Sequence, residues 1–175
     1  MNVARCLQQS VHRCPDRVAV KHGETDVWSF SEFEKNVKAG AERLRKRGVL
    51  PGDRVGMFME NHPDYIIWLY AILYADCVLV PINSRLHEQE LAYILKDSAA
   101  RFCVSSDKTS GTVLRALAMA GLELGSVGSR EYLQLRPTES QESSVYCKRS
   151  NEDTAWIFYT SGTTGVPKGV ELSHS

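Results

Sequence analysis

The sequence predicts an α/β fold, a mostly parallel sheet flanked by helices. Three observations carry that prediction. Short apolar runs alternate with helix-length amphipathic segments between Ser31 and Ala120. That strand–helix–strand order implies parallel pairing with right-handed crossovers. A further apolar run, Ala155 to Tyr159, leads straight into a loop rich in glycine and hydroxyl side chains, the strand-then-loop order at which α/β proteins place ligands.

The elements follow in order. Met1 to Cys14 reads as a helix, with Val3, Leu7 and Val11 at spacings of four and a stop before Pro15. Ser31 and Glu34 form a capping-box pattern, and Phe33, Val37, Ala41 and Leu44 continue at helical spacing until Gly48. Arg54 to Met59 reads as a strand. Pro63, at a first helical position, opens an apolar helix through about Ala75. Val78 to Val80 is the next strand, with Pro81 at its end. Glu88 to Asp97 is a helix carrying Leu91, Ile94 and Leu95 on one side; Arg101 to Ser105 is a strand, and Thr112 to Ala120 another helix. Gly125 to Ser129 reads as a flexible connection, Pro137 to Asp153 as a polar surface loop, and Ala155 to Tyr159 as a buried strand.

Tyr65 through Ile82 carries a single charge, Asp76, and reaches the length at which a membrane span is considered. Asp76 and Pro81 interrupt it, so a buried helix followed by a strand is the better division.

Composition narrows the function classes. Hydrophobic residues at 43% and charged residues at 24% fit an ordinary globular chain. Basic and acidic residues are both 21, which argues against nucleic-acid binding and against attraction to an anionic membrane. The basic cluster Arg43 to Arg47 fits the cationic last turn of a helix. Cys6, Cys14, Cys77, Cys103 and Cys147 have no metal-ligand spacing and no close pairs. With no long apolar leader before them, they read as reduced thiols in a cytoplasmic protein. The five histidines are dispersed and offer no nucleophile–base pair.

The chemistry concentrates in Tyr159-Thr160-Ser161-Gly162-Thr163-Thr164-Gly165-Val166-Pro167-Lys168-Gly169. Its glycines permit close backbone approach to a ligand, and Thr160, Ser161, Thr163 and Thr164 supply rotatable O–H donors. Successive N–H groups in such a turn form an anion-binding concavity, and Lys168 adds a point charge. A Walker A loop requires Gly-Lys-Ser/Thr at its end. Here Lys168 precedes Gly169 and Val170 follows, so a kinase- or GTPase-type loop is excluded.

This run resembles the phosphate-binding signature of the adenylate-forming enzymes: acyl-CoA synthetases, luciferases and peptide-synthetase adenylation domains. Trp28 to Phe33, Gly48 to Val55 and Val80 to Leu86 resemble further segments of that family, the last one typical of acyl-CoA ligases. The likeness covers the chain to about Ser106 and resumes near Asp153. Asp76 stands where the family usually has glycine, and Glu171 where a small or apolar residue is usual.

The resemblance implies that residues 1–175 are an incomplete N-terminal part of an AMP-binding adenylation domain, without the C-terminal domain. It implies an ATP-dependent acyl-CoA synthetase that uses ATP, Mg²⁺ and coenzyme A on a carboxylic acid, a fatty acid in the first instance. Thr160, Ser161, Gly162, Thr163, Thr164, Gly165 and Lys168 are the implied phosphate ligands; no catalytic or metal-ligating residue is implied within the chain. Partners are expected to include no nucleic acid and no transmembrane span, with room for a peripheral membrane contact. A peptide-synthetase adenylation domain and a truncated non-enzymatic product are the alternatives.

Overall fold

Side chains along the three central strands alternate between two apolar cores, and that alternation sets the layering. The structure, a computed structural model, describes residues 3–128, 149–160 and 166–175. Its elements are α1 (Val3–Arg13), β1 (Val18–His22), β2 (Thr25–Ser29), α2 (Phe30–Lys46), β3 (Arg54–Phe58), α3 (Pro63–Tyr74), β4 (Val78–Ile82), α4 (Glu88–Asp97), β5 (Phe102–Ser105), α5 (Ser110–Ala120), β6 (Gly125–Gly128), β7 (Thr154–Thr160) and β8 (Lys168–Ser173). Val55, Met57, Leu79, Phe102 and Val104 enter one core with α1, α2 and α3. Phe58, Val80, Ile82 and Cys103 enter the other with α4 and α5. Successive strand residues point to opposite faces, so a sheet covered on both sides needs the near-continuous apolar runs seen here.

The sheet order is β6-β5-β3-β4-β7-β8. β3 pairs in parallel with β4 and with β5, β5 with β6, and β4 with β7; β8 returns antiparallel to β7. The expected mostly parallel sheet flanked by helices is therefore present. β3 and β5 are neighbours whose following helices, α3 and α5, lie on opposite faces. That reversal is the topological switch at which open α/β sheets form a crevice.

Several local readings change. The capping box of α2 is Ser29–Glu32: the Glu32 N–H donates to Ser29 Oγ at 3.2 Å, and the Ser29 N–H donates to Glu32 Oε2 at 2.9 Å. The sequence contains two overlapping Ser-x-x-Glu patterns, and the expected Ser31–Glu34 pair loses. The chain is already fixed by the β1–β2 hairpin at Ser29, and Glu34 instead meets Tyr74 and Lys38. That hairpin had no sequence-level assignment. Pro81 lies inside β4 rather than at its end; the β4–β7 ladder carries one registered pair, Leu79↔Trp156, so the missing Pro81 N–H deprives no pair there.

The expected flexible connection at Gly125 is an edge strand. A Cβ on Gly125 would lie 2.1 Å from the Phe102 ring, so glycine makes room for the neighbouring aromatic. β7 is only half-buried, with Phe158 40% exposed, because it lies near the sheet edge. The expected surface loop lies mostly outside the described residues; its end, Arg149 to Asp153, is irregular and partly exposed. Among the described residues no helix is long and apolar enough to cross a membrane, and Tyr65 to Ile82 divides into α3 and β4 as expected. Cys77 and Cys103 are buried, and burial pushes both thiols up to about 12, which keeps them inert core residues.

α2 and α3 approach closely at Gly40, where a Cβ would stand 2.8 Å from the Ala71 Cβ. A Gly40→Ala substitution gains about 1 kcal/mol in helix propensity but meets an overpacking cost of about 2 kcal/mol. The expected net loss is about 1 kcal/mol, read as a lower urea midpoint at unchanged m-value. An unchanged or raised midpoint would show that the two helices can separate freely.

Candidate functional site

Four parallel strands end on one edge of the sheet, and the loop-bearing segment leaves from that edge. β3 runs out to Glu60 and Asn61, β4 to Asn83, and β5 to Ser106, while β7 ends at Thr160. Around them lies an open cleft of about 810 Å³, lined among the described residues by Glu60, Asn61, Tyr65, Asn83, Ser84, Arg85, Lys108, Thr109, Thr112 and Phe158. That size suits a small-molecule site. Arg85 and Lys108 bring positive charge to it, and both are exposed.

The switch between β3 and β5 is closed by a side-chain network. Ser106 Oγ donates to Glu60 Oε2 in a short hydrogen bond. Thr109 Oγ1 donates to the Phe58 carbonyl at 2.7 Å, and the Ser106 N–H donates to Thr109 Oγ1 at 3.0 Å. The Ser106 hydrogen bond is the main reason that the Glu60 carboxyl is held below the usual range, with Lys108 adding a weaker attraction. These contacts fasten the start of α5 to the end of β3. They leave the open volume to extend toward β4 and β7. The Ser106-Asp107-Lys108-Thr109 spacing was the available sequence signal for this network.

The predicted phosphate residues fall on a β-hairpin. Thr160 ends β7 and Lys168 opens β8, and the two are antiparallel partners. Ser161, Gly162, Thr163, Thr164 and Gly165 lie outside the described residues. The expected strand is present as β7, the expected loop after it lies outside the described residues, and the chain returns as an antiparallel strand. Gly169 faces Tyr159 across the hairpin, where a Cβ would be 3.1 Å from Tyr159 Cζ. The glycine thus lets the tyrosine ring lie over the neighbouring strand. Tyr159 OH donates to Asp97 Oδ2 at 2.7 Å, tying the loop stem to the last residue of α4. Burial, then the hydrogen bond to Asp97, pushes the phenol well above its ordinary value, so it stays a donor. Sequence reasoning missed this brace because Asp97 and Tyr159 are distant in the chain.

The AMP-binding enzyme family profile matches residues 7–175. The chain belongs to the AMP-binding enzyme family. A feruloyl-CoA synthase from Amycolatopsis sp is 36% identical over 160 residues, which are 91% of this chain and 31% of that protein. A polyketide synthase-nonribosomal peptide synthetase from Aspergillus clavatus is 32% identical over 169 residues, 96% of this chain and 4% of that protein. The structure of a Mycobacterium tuberculosis fatty acyl CoA synthetase superposes with a TM-score of 0.83 at 27% identity, covering 99% of this chain and 34% of that chain. This AMP-binding chain therefore spans about a third of the length of the CoA-ligase relatives it matches.

The brace at the loop stem is testable. Tyr159→Phe removes one hydrogen bond while keeping the ring over Gly169 and is expected to cost about 1 kcal/mol. Urea unfolding checks the loss. Equal stability of the variant would mean that Asp97 and Tyr159 are fully compensated by water.

Proposed function

We propose that this chain is the N-terminal part of an ATP-dependent acyl-CoA synthetase and that its Thr160–Lys168 loop holds the β- and γ-phosphates of ATP. The supporting observation is the position of the loop. Its stem, Thr160 opposite Lys168, stands at the carboxyl edge of the parallel strands beside a cleft lined by residues from the segment after β3 and from β4, α5 and β7. Thr160, Ser161, Thr163 and Thr164 supply hydroxyl donors, Gly162 and Gly165 allow backbone approach, and Lys168 neutralises charge on the leaving pyrophosphate. The work of these groups is positioning and charge stabilisation. The substrate carboxylate itself is the nucleophile, attacking the α-phosphorus and expelling pyrophosphate. Coenzyme A then receives the acyl group through its thiol. Among the described residues no group of three or more His, Cys, Asp or Glu side chains stands together as a metal site.

The CoA-ligase side is favoured by relatives named for feruloyl-CoA and 2-succinylbenzoate–CoA chemistry, and a fatty acid is the substrate class suggested by the fatty acyl neighbour. A second reading, a peptide-synthetase adenylation domain, is supported by the likeness to the Aspergillus peptide synthetase. The reading makes this the first third of a larger catalyst, placed in the cytoplasm.

Equilibrium binding of ATP and of pyrophosphate to the 175-residue chain tests the loop. Lys168→Met is expected to weaken both by about tenfold, the loss of one charge-assisted contact. Affinity unchanged in the variant, or no binding by the native chain at millimolar ligand, would overturn the assignment. With ATP and a panel of fatty and aryl acids, the chain alone is expected to give no sustained pyrophosphate release. Robust turnover would contradict the view that the remaining machinery lies elsewhere.

A further inference from the structure

The end of the β7–β8 hairpin opposite its loop rests on a polar cluster that includes two buried side chains, Asp76 and His174. Arg149 Nε donates to the Asp76 carbonyl at 3.2 Å, and the Gly52 N–H donates to the same oxygen at 2.8 Å. Arg149 Nη1 lies 3.7 Å from Asp153 Oδ1. A Cβ on Gly52 would come within 2.5 Å of Arg149 Nη2, so the guanidinium occupies space that only glycine leaves open. On the other arm, the His174 N–H donates to the Asp153 carbonyl at 3.2 Å, and the ring is buried with Nδ1 lacking a hydrogen-bond partner. Asp76 is also buried, has φ 59°, and leaves Oδ1 without a partner. Arg149, before β7, thus meets the turns that precede β3 and β4, and His174, after β8, is joined to Asp153 beside it.

We infer that Asp76, Arg149 and His174 form an acid-released clasp that fixes the base of the β7–β8 hairpin and thereby positions the Thr160–Lys168 loop. Its consequence for phosphate binding rests on the function proposed above; the clasp itself does not. Protonation would place a cation in a closed site beside Arg149. Burial is the largest influence on His174 and lowers its affinity for a proton; the neighbouring Asp153 and Asp76 carboxylates oppose this, and Arg149 reinforces it. Among the described residues, Arg149 also shares a surface hollow with Arg54, Glu152, Asp153 and Glu171, while Asp53 and Arg45 act together with Asp76 and Arg149 on the Cys77 thiol, which burial keeps protonated. An imidazole that is neutral when clasped and ordinary when exposed takes up a proton on opening. Clasp stability is therefore complete above about pH 6.5 and falls below it, until the buried ring itself titrates.

Amide hydrogen exchange of the 175-residue chain between pH 7.5 and pH 5.5 (roughly the window around the imidazole pKa), corrected for intrinsic rates, tests the inference. Protection in residues 154–160 and 168–173 is expected to fall below about pH 6.5, with a slope no steeper than about tenfold per pH unit, the limit for one linked proton. Protection in β3, β4 and β5 is expected to stay constant. His174→Asn should flatten the hairpin profile. Arg149→Lys, which keeps the charge but loses the fork, should lower hairpin protection at every pH while retaining the slope. A pH-independent native profile, an equal slope in His174→Asn, or loss in step with the central strands would overturn the clasp. If hairpin protection follows His174 while ATP binds at no pH, the clasp stands and the phosphate assignment fails.

Discussion

The ligand edge of this molecule depends on β7 joining the sheet alongside β4. That pairing places the end of β7 level with the ends of β3, β4 and β5, with Phe158 of β7 lining the cleft. One registered pair, Leu79 and Trp156, joins the two strands, and Ala155 and Ile157 of β7 are buried in the two cores. The hairpin must therefore be held by side chains as well: Tyr159 to Asp97 near the loop, and the Arg149 cluster at the far end. The central sheet needs no such help. β3 is paired on both sides, and its side chains are locked into two apolar cores.

This division explains a difference in chemistry between the two regions. The central strands bury aliphatic side chains and sulfur, and their stability is area removed from water. The outer hairpin carries Phe158, Val170 and Leu172 at 40%, 48% and 46% exposure, so it has less apolar burial to hold it. Directional contacts take a larger share there. An arrangement of that kind suits a segment that must present donors at a fixed place, because hydrogen bonds define orientation where apolar packing does not.

Much of the fold was legible because the strong signals are local. The spacing of Leu91, Ile94 and Leu95 sets α4, and Pro63 sets the start of α3. The layering follows once strand and helix alternate. What failed was decided by distant partners. Gly125 and Gly169 look like loop residues in one dimension, yet each makes room for an aromatic ring, Phe102 and Tyr159. The two Ser-x-x-Glu patterns at Ser29 and Ser31 are equivalent in sequence, and the β1–β2 hairpin chooses between them. Of the loop residues named in advance, Thr160 and Lys168 are brought together as strand partners. The braces behind them, Asp97 and Arg149, carry no local motif and emerge only when the chain has folded.

The central proposal is spatial: it puts phosphate binding at the loop end of the β7–β8 hairpin, beside the carboxyl edge of the parallel sheet. Backbone-amide NMR during titration with ATP reads that position directly. The account predicts that the largest shifts fall on Thr160, Lys168 and Gly169 and on cleft residues such as Phe158, with little change around Gly52 and Asp76 at the opposite edge. Shifts confined to that opposite edge, or scattered without focus while the chain stays folded, would contradict it.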